Sequence, residues 1–218
     1  MSTSIVYDGY LERYADGACL AQLADLPGCF ARGASPDDAL QRLAASIPAY
    51  YAWLAQHDEY TPLVQGAFQV VAKESQPATP GRSTFFTTDA APVTAEDLDW
   101  YLALLGWAVG DLVALGRTLP TSTVAQEEVT NLGAHLTRGL SYVLDSLDLP
   151  SAAADGSNAD ILHWLESVTA ACAARLRSAS NDERARVVER DGVRWSMRSV
   201  LRQAILGARI QLAAFGAA

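Results

Sequence analysis

Lysine is almost missing from this chain: Lys73 is the only one among 218 residues. Arginine supplies the other cationic side chains, and no run of Lys and Arg occurs. With a formal net charge of −9 and a pI near 4.7, bulk electrostatics argue against binding to a phosphate backbone. Nucleic acid is therefore not an expected partner. Cysteine is scarce too. Cys19, Cys29 and Cys172 make an odd set without CxxC spacing, which argues against a disulfide framework and fits buried free thiols in a reducing compartment. No stretch reaches the roughly 20 consecutive apolar residues of a membrane span. The start, "MSTSIVYDGY", lacks both the basic opening and the apolar run of a signal peptide. The expected address is cytoplasmic. GxSxG, P-loop, GxGxxG and HExxH patterns are absent.

Half the residues are apolar and 19% are charged, the balance of a globular chain with a sizeable core. The periodicity divides it in two. In "SIVYDGYLERY" Ile5, Tyr7 and Leu11 share the parity of a half-buried strand. "GACLAQLADL" and "CFARG" supply a second and a third strand. Ser35, Pro36, Asp37 and Asp38 then open a helix as N-cap, first helical residue and acidic first turn. Leu40, Leu43, Ile47, Tyr50, Tyr51 and Leu54 continue at helical spacing, and Pro48 is expected to kink or divide it. "FQVVAKE" (68–74) reads as a returning strand, so the order is β-β-β-α-β.

Residues 76–93, with "SQPATPGRS" at their start, read as a linker between a 1–75 domain and a 94–218 domain. Beyond it the pattern is helical. Thr94 and Asp97 form a capping-box pattern. Four helices follow, at about 94–117, 122–147, 158–178 and 195–215, with "SASNDER" and "ERDG" separating the last two. Long amphipathic helices with short connections predict a four-helix bundle. The fold class is thus α+β: a small sheet domain followed by an all-α bundle.

The stretch "ADLPGCFARGASPDDALQRLAASIPAYY", with Leu26, Pro27, Gly28, Cys29, Gly33, Ser35, Ala39 and Leu40 in the matching places, resembles the HicB-like antitoxin domain. That resemblance covers about residues 4–74 and implies a small β-α sheet fold and, in many members, a protein interface that neutralises a ribonuclease toxin. "ERARVVERDGVRWSMRSVLRQAILGARIQ" looks like the last two helices of a DinB-like bundle, the acidic-Gly-x-x-Trp start and Arg198, Val200, Leu201 and Arg202 carrying the similarity. "LGAHLTRGLSYVLDSLDLP" is similar to that family's second helix. Many DinB-like proteins hold a divalent metal with one histidine on the second helix and an HxxxH pair on the last. Residues four apart share a helix face, so two imidazoles can converge on one ion. On this chain the first position is His135, and the pair falls on Gly207 and Gln211. Glycine has no side chain, and a neutral amide is a poor ligand for Zn or Ni. The three positions are read as the remnant of a metal site, with no metal expected and no catalytic residue assigned.

Other candidates have plainer uses. Cys29 reads as a small buried hydrophobe in a tight turn. His163 reads as a helix-surface residue, His57 as a complement to a helix C-terminus, and Glu127 and Glu128 as a solvated helix start. Trp100, Trp107, Trp164 and Trp195 read as bundle core in preference to an aromatic pocket. The balance is against an enzyme. The expectation is a non-catalytic binding or interaction protein, with a protein or small molecule as partner at the remnant pocket. The alternatives are a HicB-type antitoxin that binds a ribonuclease toxin, and a thiol transferase-like enzyme dependent on a divalent metal such as Zn or Ni. A homodimer is open under every reading, because sheet edges and bundle faces both offer symmetric contacts.

Overall fold

The computed structural model describes residues 5–59, 67–79, 83–118, 123–148 and 158–214. It is mixed α+β and divides into two compact units, Met1–Thr88 and Asp89–Ala218.

The first unit is a four-stranded sheet with a helix on one face. Its elements are β1 (Ile5–Arg13), β2 (Cys19–Leu23), β3 (Phe30–Gly33), α1 (Pro36–Gln56) and β4 (Phe68–Pro77), and the strand order is β3-β2-β1-β4. β1, β2 and β3 pair antiparallel, whereas β4 lies parallel to β1 with a register shift at Gly9/Tyr10. A parallel neighbour needs a long connection, and α1 lies within it. Odd residues of β1 face this helix: a methyl group added at Gly9 would lie 2.8 Å from Leu40 Cδ2.

The expected parity holds for Leu11, yet Tyr10 and Glu12 on the opposite face are also buried. Tyr10 packs against Phe86 with ring centres 5.3 Å apart, and Gln22 Nε2 donates to Glu12 Oε1 at 2.8 Å. This corrects the linker expectation in part. β4 runs on to Pro77 opposite Arg13, and Thr84 and Phe86 are buried inside the region read as a linker. Its turn formers are real, but an aromatic in the middle of such a stretch has core to fill.

Local signals place the rest of the unit. Gly28 takes a φ of +88°, the left-handed region that glycine enters freely. Cys29 N–H closes the turn on Leu26 O at 2.9 Å, and the Tyr50 hydroxyl donates to Pro27 O at 2.9 Å, tying the turn to α1. Ser35 Oγ accepts from Asp38 N–H at 3.3 Å as the N-cap. Pro48 neither divides nor ends α1, which runs unbroken to Gln56. Pro48 stands on the exposed face. The carbonyl deprived of a donor, that of Ala44, is on the same side, where water can satisfy it.

The second unit contains α2 (Ala95–Gly116), α3 (Thr123–Val143), α4 (Asn158–Arg177), α5 (Asn181–Ala185), β5 (Val187–Arg190), β6 (Val193–Ser196) and α6 (Met197–Ala214). Thr94 and Asp97 cap α2 reciprocally, as the sequence pattern requires. α2 packs on α4 and α6, and α3 packs on the same two, so the four long helices form a ring in the order α2-α4-α3-α6. Among the described residues α2 alone is long and apolar enough to cross a membrane by length and composition. Its Leu104, Leu105, Ala108 and Leu112 belong to this unit's core.

The region expected only to separate two helices holds instead a short helix and a two-stranded hairpin. Asp191 and Gly192 take φ of +56° and +70°, the pair of positive values a two-residue type I′ turn demands. Trp195, expected to open the last helix, lies within β6, and the helix begins at Met197. Arginine fastens these connections. Arg186 Nη1 donates to Asp145 Oδ1 at 2.6 Å. Glu183 accepts from Asp145 N–H at 2.9 Å, from Ser180 N–H at 2.8 Å and from the Arg175 guanidinium. Burial opposes ionisation of Glu183, but these donors outweigh it and hold the carboxyl down to about 2.

Candidate functional site

The seam between α3 and α6 carries the positions singled out by sequence. Two close approaches fix its register. A methyl group added at Gly139 would lie 2.6 Å from Val200 Cγ2, and one added at Gly207 would lie 3.2 Å from Leu132 Cδ1. Numbers rise along α3 as they fall along α6, so the helices run antiparallel. Gly207 thus faces α3 as expected, and its lack of a side chain lets Leu132 approach.

His135 stands one turn from Leu132 on α3. Its ring lies 5.5 Å from that of Trp195, tilted by 38°. Tyr142 meets the same indole edge-on at 5.5 Å. Trp195 therefore occupies a slot on α3 floored by Gly139 and flanked by His135 and Tyr142. A methyl group at Gly139 would also crowd Trp195 Cζ3 at 3.0 Å. This slot docks β6, and with it the hairpin, onto α3.

The register places His135 level with about Ala204. Gln211 lies seven residues further along α6, on the order of 10 Å at 1.5 Å per residue. His135 and Gly207 are thus neighbours on one seam, and Gln211 stands beyond them, half-buried.

Electrostatics sharpen the picture. Burial lowers the His135 pKa to about 4, and the cationic Arg138 and Arg202 push the same way. The imidazole is neutral at ordinary pH, but the guanidinium charges around it oppose a divalent cation. Gly207 offers no donor and Gln211 only a neutral amide. These residues do not fit a catalytic Zn or Ni ion. Among the described residues no group of three or more His, Cys, Asp or Glu is placed to hold a metal.

Beside the seam lies an interaction that sequence reasoning missed. Arg202 Nε donates to Asp89 Oδ1 at 2.9 Å and its Nη2 to Asp89 Oδ2 at 2.6 Å, with both side chains buried. Ser196 Oγ donates to the Asp89 carbonyl at 2.6 Å. Arg198 donates to Asp97 Oδ2 at 2.7 Å and to Pro92 O at 2.9 Å. Arg198 and Arg202 of α6 thus clamp the segment leading into α2. The available signal was Arg202 itself, a cation on the buried stripe of a helix, which requires a buried partner.

The remaining candidates do not converge. His163 is exposed on α4, with Nδ1 4.0 Å from Glu166 Oε2. His57 follows α1 and meets Trp53 edge-on at 5.4 Å. Glu127 is exposed, and the side chain of Glu128 lies outside the described residues. Cys29 is buried, its Sγ 3.6 Å from Ser46 Oγ. Trp100 and Trp107 pair edge-on at 6.0 Å on α2, while Trp164 lies against Gly133 of α3. Of the four tryptophans expected in the bundle core, Trp195 is buried, whereas Trp100, Trp107 and Trp164 are half-buried.

No family model matches this chain, and no curated protein or solved structure matches it either.

Proposed function

We propose that this chain is a non-catalytic binding or interaction protein. Its four-helix unit is of the DinB-like kind with the metal chemistry lost, and its sheet unit, of the HicB-like kind, supplies a surface for a protein or small-molecule partner. The observation that carries the reading is the α3–α6 seam. Where a metal-binding relative would need three converging donors, this chain has a glycine under Leu132, an amide further along, and one imidazole held neutral beside Trp195 and two guanidinium groups. Gly207 serves helix packing and His135 hairpin docking, and one imidazole cannot hold a catalytic metal against that field.

Metal content and thermal shift test it. Purified protein is expected to contain no stoichiometric metal, and added Zn or Ni is expected to leave Tm unchanged, since a ligand stabilises only a fold that binds it. Stoichiometric metal that disappears in His135→Ala would overturn the reading.

A further inference from the structure

We draw no further inference here: the strongest candidate, the outer edge of β4, unpaired among the described residues, with the exposed Val6 and Val71 on the sheet face turned away from α1, carries nothing because no feature of the structure shows what covers it.

Discussion

A methyl group at Gly139 would meet Val200 Cγ2 at 2.6 Å and Trp195 Cζ3 at 3.0 Å, whereas one at Gly110 on α2 would meet nothing within 4 Å. The same substitution should therefore have opposite signs. Gly110→Ala is expected to stabilise by about 0.5–1 kcal/mol through helix propensity alone. Gly139→Ala is expected to destabilise by about 1–3 kcal/mol as overpacking exceeds that gain. Urea unfolding of the two variants checks both; a stabilised Gly139→Ala would mean that Trp195 does not occupy the slot. Asp89 offers a second test. Asp89→Asn leaves the Arg202 guanidinium buried without its counter-charge, a loss expected at about 3–5 kcal/mol. Adding Arg202→Met should recover much of it, and failure of the double variant to recover would mean that the pair does more than neutralise itself. Residue-scale features divide by range in what the sequence reveals. Gly28, Ser35 and Thr94 were legible because turns and caps are decided within four residues. The Asp89–Arg202 pair spans 113 positions, and no local rule names the partner of a buried arginine.

Among the elements, β4 is a long exposed edge: ten residues, at the margin of its sheet, and mostly open to solvent. Long edge strands invite pairing with other chains, and a lysine is a common safeguard. The chain's only lysine stands here, with Nζ 3.3 Å from Asp8 Oδ2. Lys73→Val would extend the apolar run Val70, Val71, Ala72 along the edge and leave Asp8 unpaired. That variant is expected to self-associate at concentrations where the parent does not, read by size-exclusion chromatography with light scattering. Unchanged elution would show that the lysine does not protect the edge. The long helices were readable from apolar period and caps, and each lies within a few residues of its expected bounds. The β5–β6 hairpin was not, although its signal was local. Asp191-Gly192 sits between "VVER" and "VRWS", a two-residue turn joining two runs that mix apolar and charged residues. Two four-residue strands between helices are too short for periodicity to register, and the surrounding helical pattern absorbed them.

For the whole molecule the accessible variable is pH. His135 takes up a proton in the unfolded chain near 6.5 but in the folded one only near 4. Between those values the unfolded state binds more protons, so stability falls as pH drops through this window, by roughly 3 kcal/mol at 1.36 kcal/mol per pH unit. Glu183 adds a loss of the same sign below about 4.5, because its carboxyl is held at about 2 in the fold. Denaturant unfolding at a series of pH values should show both, and His135→Gln should flatten the upper part of the curve while leaving the lower part. A curve equally steep in the variant would place the titration elsewhere. The candidate site was half legible. The DinB-like resemblance put His135 and Gly207 on neighbouring helices, and Arg138 stands three residues from His135 in the sequence, but the indole beside His135 arrives only when the hairpin folds back onto α3, and Arg202 only when α6 packs there. The central claim is that this seam is packing and not a metal centre. A crystal soaked in zinc and measured at the zinc edge tests it most directly. The account requires no anomalous peak at His135; a peak about 2.0–2.1 Å from an imidazole nitrogen of His135, the ordinary Zn–N distance, would contradict it.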